Sequence, residues 1–184
     1  MTLIAFNKPY GVICQFSAHE KHPSLADFIA IKHVYPIGRL DHDSEGLLLL
    51  TDDGTLQQQL AHPTQKVEKH YWAQVEGIPT AQAIKTLKHG VLIKGQRYRA
   101  VDVMPIAPPT NLWPRTPPIR FRRHIPTSWL RIILNEGKNR QIRRMTAAVG
   151  YPTLRLVRTQ IGKWQLHTLP LSPGQWCHLK ISST

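Results

Sequence analysis

Gly38-Arg39-Leu40-Asp41-His42-Asp43-Ser44-Glu45-Gly46-Leu47-Leu48-Leu49-Leu50-Thr51 sets an acid-rich turn directly against an unbroken apolar run. Four leucines bounded by turn residues are too short for an ordinary helix and predict a strand buried on both faces. Ahead of them, Arg39 and three carboxylates (Asp41, Asp43 and Glu45) fall within seven residues. Charges crowded against a buried strand cost free energy unless something opposes them or they act on something. The loop is therefore the first candidate for chemistry.

Outward from this run, Leu3–Phe6 predicts a strand, Asn7–Gly11 a turn, and Val12-Ile13-Cys14 a second apolar run. Ser24 suits the N-cap of a helix to about His33, with Leu25, Phe28, Ile29 and Ile31 on its buried side and Pro36 closing the segment. Asp52-Asp53-Gly54 reads as a turn and Thr55–Ala61 as a short helix. Lys69–Val75 alternates, with Tyr71, Ala73 and Val75 on one face, and predicts a strand. Thr80 caps a helix that Gly90 ends. Val91–Ile93 and Arg99–Val103 read as strands about a turn at Gly95. Met104–Arg123 carries six prolines, which forbid a regular helix or a central strand, and predicts a long loop with extended pieces. It ends in Arg120, Arg122 and Arg123. Trp129–Leu134 is another alternating strand. A helix follows from about Asn139 to Val149, with Ile142, Met145 and Val149 on its buried stripe. Strands and helices interleave without a regular β-α-β cadence and without a glycine-rich phosphate loop. The expected class is α+β, with a large, mostly antiparallel or mixed sheet flanked by helices.

The net charge of +13 is spread unevenly. Residues 1–76 hold six Lys/Arg and nine Asp/Glu, net −3, whereas residues 77–184 hold eighteen Lys/Arg and two acids, net +16. Like charge concentrated in this way repels itself, which points to a polyanion partner. Nucleic acid is favoured over an anionic membrane surface, which calls for a basic amphipathic helix with bulky apolar residues opposite. No apolar run approaches the length of a membrane span, and no secretory signal is evident. Cys14 and Cys177 form no C-x-x-C pair and read as ordinary thiols of a reducing compartment, so a cytoplasmic protein is expected. Arg140, Arg143 and Arg144, spaced i, i+3 and i+4 on the predicted helix, repel one another unless an anion lies between them. They are candidate phosphate contacts.

Three readings compete for the acidic cluster. Asp41, Asp43, Glu45, Gly46 and Asp52 fall at positions 1, 3, 5, 6 and 12 of a calcium loop, but neither flank is a helix and the last position lacks its bidentate Glu. No metal is expected. A glycosidase-like pair of Asp41 and Asp43 needs an extended segment and leaves the basic half unexplained. The third reading places one carboxylate on a ribose or base within a basic, RNA-holding groove.

At these residues the sequence resembles a family of ribosomal RNA pseudouridine synthases. It comprises the type A enzyme of small ribosomal subunits together with the type B, E and F enzymes of large ones. Gly38–Asp41 with Ser44–Thr51 resembles the family's catalytic motif, and Asn7-Lys8-Pro9-Tyr10-Gly11-Val12 its first motif. Lys69-His70-Tyr71 resembles the strand carrying its active-site tyrosine. Asn135–Met145 resembles its long basic motif, and Leu156-Val157-Arg158 with Ile161-Gly162 its last. The order agrees and the resemblance covers nearly the whole chain. It implies a pseudouridine synthase catalytic fold with subdomains at about 1–64 and 65–184 and the active-site cleft between them. No N-terminal S4 domain is expected, as in the E-type members. Cys177, where relatives carry Arg, is expected to have a local effect only.

By resemblance, Asp41 is the essential acid, Tyr71 stacks on the uracil, and Arg158 pairs with Asp41. Arg39 contacts RNA near the target. Lys8, Lys69, Arg120, Arg122, Arg123, Lys138, Arg140, Arg143 and Arg144 complete the expected RNA-binding set. The reaction implied is isomerisation of a uridine in large-subunit ribosomal RNA to pseudouridine, without cofactor; a monomer is the default expectation. The alternative is a non-catalytic RNA-binding or ribosome-assembly factor using the same basic surface.

Overall fold

A run of leucines can lie flat in a sheet only where both faces are covered, and the positions of the strands follow from that demand. The computed structural model describes residues 1–181. Along the described chain the strands are β1 (Leu3–Lys8), β2 (Tyr35–Pro36), β3 (Glu45–Thr51), β4 (Lys69–Glu76), β5 (Val91–Ile93) and β6 (Gln96–Tyr98). There follow β7 (Asp102–Ile106), β8 (Thr127–Leu134), β9 (Thr153–Ile161), β10 (Trp164–Gln165) and β11 (Trp176–His178). Helices α1 (Gly54–Ala61), α2 (Ala81–His89) and α3 (Gln141–Ala148) are interleaved among them. The class is α+β.

The chain divides into two compact units. One is Met1–Val67 together with the chain from Arg158 onward, and the other is Glu68–Val157. The expected boundary near residue 65 is therefore only the first crossing. The C-terminal segment, expected in the second subdomain, returns to the first, because β11 pairs with β1 through Ile4↔His178 and Phe6↔Trp176.

In the first unit the antiparallel order is β11-β1-β3, with β2 also on β3. Every residue of β1 and β3 is buried. Leu48 and Leu50 join Ile4 and Phe6 against Val12, Leu25, Ile29, Val34 and Leu40, while Leu47 and Leu49 are covered on the opposite face. The helix expected from Ser24 to His33 is a single 3-10 turn, Leu25–Asp27, capped reciprocally by Ser24 and Asp27. Beyond it, β-branched Ile29 and Ile31 are poor helix formers, and His33 turns left-handed at φ 62°. Tertiary burial of Leu25, Ile29 and Val34 holds the irregular chain in place. Pro36, read as a terminator, lies in β2 opposite Leu50. Asp53 caps α1 by accepting from the Thr55 and Leu56 amides at 2.8 and 3.1 Å.

In the second unit the antiparallel order is β4-β8-β7. Tyr71, Ala73 and Val75 pack with Leu130, Ile132 and Leu134 of β8, Leu87 of α2 and Ile142 and Met145 of α3. The Gly95 turn joins β5 to Gln96–Tyr98, not to Arg99–Val103 as expected. Lys94 and Gly95 both have positive φ, 49° and 76°, the geometry of a two-residue hairpin loop that pairs Ile93 directly with Gln96. The proline-rich segment begins inside a strand, since Met104, Pro105 and Ile106 belong to β7. That strand is the last in its order, the place in a sheet where a proline is tolerated. Helix α3 begins at Gln141 rather than Asn139, because Arg140 takes a left-handed conformation, φ 51°, at the N-cap. Only Arg143 and Arg144 of the arginine trio are therefore on the helix.

Candidate active site

Asp41 sits half-buried in the loop that enters β3. The loop is tied at consecutive points. The Ser44 amide donates to the Asp41 carbonyl at 3.0 Å and the Gly11 amide to the His42 carbonyl at 2.7 Å. The Lys8 ammonium donates to the carbonyls of Val12 at 2.8 Å and Pro9 at 2.9 Å, with a longer contact to His42 at 3.4 Å. Lys8 is fully buried. Expected at an RNA surface, it is instead a fastener between the first motif and the Asp41 loop.

The burial of Lys8 explains the crowded acids. Desolvation lowers its pKa from 10.5 to about 8, and the charges of Cys14, Glu45 and Asp43 act against that fall. Asp43 and the buried Glu45 are thus counter-charges for an ammonium held out of water. The calcium reading fails on geometry. Asp41 and Asp52 lie at opposite ends of an extended seven-residue strand, on the order of 20 Å long, and the Asp52 carboxylate is taken by the Thr2 amide at 2.6 Å.

Lys8→Met is expected to lower stability at pH 7 by about 2 kcal/mol or more, because buried carbonyls lose their donor. The pH dependence has a defined sign. The folded pKa lies below the unfolded one, so between about pH 8 and 10.5 the unfolded chain binds more protons and stability rises with pH. Urea denaturation of the wild type should gain on the order of 3 kcal/mol from this group across that window. The Lys8→Met protein should lack the gain; parallel pH curves for the two proteins would refute the assignment.

Arg158 is buried in the first unit, 3% exposed. Its Nε donates to the Leu47 carbonyl at 2.8 Å, and one terminal nitrogen has no hydrogen-bond partner. Its charge contributes to lowering the pKa of Lys8, which places it in the electrostatic neighbourhood of the Asp41 loop. A guanidinium nitrogen buried without a partner is costly, and it is a donor available to an incoming anion. Arg39 is exposed beside the loop. Burial pushes the Cys14 and Cys177 thiols up, which disfavours the thiolate at both.

In the second unit, Tyr71 lies on β4 opposite Ile132, its ring in the core and only 8% of the residue exposed. Lys69, half-buried, precedes it on the same strand. Arg120, Arg122 and Arg123 are exposed on the loop after β7, and Arg122 pairs with Glu76 at 3.4 Å. Lys138 donates to the Arg97 carbonyl at 2.7 Å, pairs with Glu136 at 3.3 Å and lies 4.9 Å from the Tyr98 ring centre. Arg143 is half-buried, with a long contact of 3.5 Å to the Thr153 carbonyl; Arg144 is exposed and donates to Asn139 Oδ1 at 3.0 Å.

Sequence reasoning passed over Gln141 and Glu136. The Gln141 amide donates to Glu136 at 2.7 Å and accepts from the Lys138 amide at 3.2 Å, bracing the basic loop ahead of α3. The signal was one of only two acids in the basic half, set directly beside Lys138, the counter-charge that such a loop needs.

A family model described as RNA pseudouridylate synthase matches residues 2–148. The chain is 51% identical over 176 residues to Ribosomal large subunit pseudouridine synthase E of Xanthomonas campestris pv. campestris, covering 95% of this chain and 93% of that protein. It is 50% identical over 181 residues to the protein of the same name from Vibrio vulnificus, covering 98% of this chain and 76% of that one. Among solved structures, a pseudouridylate synthase crystal structure aligns with a TM-score of 0.78 at 23% identity, over 97% of this chain and 70% of that one, a likeness of fold. With its first, catalytic and basic motifs in order and its fold shared, the chain belongs to the RNA pseudouridylate synthase family and is an enzyme of that class, an isomerase of uridine in RNA.

Proposed function

We propose that the chain converts one specific uridine of large-subunit ribosomal RNA to pseudouridine. The N1–C1′ bond breaks, the uracil turns, and C5 bonds to C1′; N1 takes up a proton and C5 releases one to solvent. Asp41 is the essential carboxylate. Arg158, with one guanidinium nitrogen unpartnered in the protein, pairs with Asp41 and aims it. Tyr71 stacks on the uracil. Arg39 meets the RNA next to the target, where flipping a base costs least in loops and irregular helices.

The observation that carries this reading is a carboxylate on a loop fastened by Lys8, Gly11 and Ser44, with a buried, under-partnered arginine in the same electrostatic neighbourhood. It stands in a chain half identical to proteins named for this reaction. Pseudouridine mapping of ribosomal RNA from cells lacking the protein tests it. One site in the large-subunit RNA should revert to uridine and return when the gene is restored. A complete large-subunit map in those cells would refute the reading.

The basic residues Arg39, Lys69, Arg120, Arg122, Arg123, Arg140, Arg143 and Arg144 form the RNA surface, with Lys138 bracing it. Arg144 is the better probe, because it is exposed whereas Arg143 is half-buried. Arg144→Ala should weaken RNA binding and reduce the slope of log K against log salt by about 0.7–0.9. An unaltered slope would remove this helix from the phosphate contacts. We further propose that the enzyme acts as a monomer in the cytoplasm, where its RNA substrate is made. No helix among the described residues is long and apolar enough to cross a membrane.

A further inference from the structure

Gln74 and Glu76 lie on the face of β4 opposite the core-facing Ala73 and Val75. The loop after β7 folds over that face and leaves a groove of about 460 Å³, lined among others by Gln74, Glu76, Arg120, Phe121, Arg123 and His124. The volume falls in the range of small-ligand sites. Phe121 is 86% exposed. A single exposed apolar ring is ordinary on its own; its setting is not. Residues 107–126 contain no acid, and Phe121 stands within the run Arg120-Phe121-Arg122-Arg123-His124.

The ring is also presented by an anchored loop. The Arg115 guanidinium donates to the carbonyls of Pro117, Leu154 and Pro118 at 2.8, 3.1 and 3.2 Å. Arg155 holds the Trp113 carbonyl at 2.8 Å. At the far end the Gly77 amide donates to Pro126 at 2.7 Å. Arg122 neutralises Glu76, which leaves Arg120 and Arg123 to face an anion.

We infer that this groove is a second RNA subsite, holding one unpaired nucleotide apart from the target uridine. Its base stacks on Phe121 and its flanking phosphates meet Arg120 and Arg123. Unpaired bases are held on aromatic rings and guanidinium planes, with their edges read by polar side chains. Glu76 is five residues along β4 from Tyr71, about 17 Å, on the opposite face. The subsite therefore reads a nucleotide other than the one isomerised and contributes to site selection. The inference rests on the RNA activity proposed above.

The test compares Phe121→Ala, Phe121→Leu and Phe121→Trp in the full chain. One arm measures binding and pseudouridine formation with a large-subunit RNA transcript, and the other measures binding to an unstructured oligocytidylate. Phe121→Ala should weaken binding about tenfold in both arms, with the rate at saturating RNA and the salt slope unchanged. Phe121→Trp should keep wild-type affinity and Phe121→Leu should not. Unchanged affinity for Phe121→Ala, or full rescue by Leu, would overturn the inference. So would altered self-association at constant RNA affinity, which would mark a protein interface. A wild-type enzyme inactive on the transcript would count against the proposed substrate, while the oligocytidylate arm would still read the stacking site.

Discussion

Asp41→Asn is expected to abolish uridine isomerisation while leaving RNA binding within a few-fold of wild type. The amide nearly matches the carboxylate in size, and backbone ties at residues 41 and 42 hold the loop. The Ser44 amide bonds the residue 41 carbonyl, and Lys8 and Gly11 bond the next carbonyl along. The loop should therefore keep its course. What is lost is the charge and the ability to take a proton or attack carbon. If the carboxylate only carries a proton, the loss is on the order of 10²–10⁴-fold; if it forms a covalent bond, no turnover remains. Single-turnover assays with the variant, alongside filter binding, separate the two quantities. Retained turnover, or binding lost in proportion to turnover, would contradict the role.

The second large effect is expected at Arg158. Arg158→Met removes a buried guanidinium, one nitrogen of which has no partner in the protein. That removal relieves an orphaned polar group, while the Leu47 carbonyl loses its donor, a cost of about 1–3 kcal/mol. These effects oppose each other, and replacing buried ions with apolar groups of similar volume is often near neutral. The net change in stability should be small. Turnover should fall roughly 10²–10³-fold, the usual loss on removing one preorganised donor. Arg158→Lys, which keeps the charge and loses the fork, should recover only part. The decisive pattern is a folded, RNA-binding, nearly inactive enzyme. A protein that unfolds yet stays active while folded would make Arg158 a structural staple.

Much of this architecture follows from local pattern. The buried leucines of β3, the alternating Tyr71, Ala73 and Val75 of β4, and the Thr80 and Gly90 ends of α2 are where periodicity and capping put them. The misses share one cause. The chain after Ser24 carries a good cap and apolar spacing, yet one turn suffices to seat Leu25 and Ile29, and tertiary burial overrides the rest. Arg140 looks helical by spacing, but its left-handed backbone places it before the helix.

The site was read unevenly for a similar reason. A carboxylate before a buried strand is visible in sequence. The function of its neighbours is not, because Lys8 looks like any surface lysine until its burial is known. Once that ammonium is seen inside, Asp43 and Glu45 become its counter-charges and the acidic cluster reduces to a single candidate for chemistry.

Asp41-dependent isomerisation is tested most directly by release of tritium from uridine labelled at C5 in large-subunit ribosomal RNA. The account predicts that the wild-type protein releases the label of one uridine per RNA, with pseudouridine formed in equal amount, and that Asp41→Asn releases it at least about a hundredfold more slowly. Release by the variant at the wild-type rate, or no release by the wild type from naked or partly assembled RNA, would contradict it.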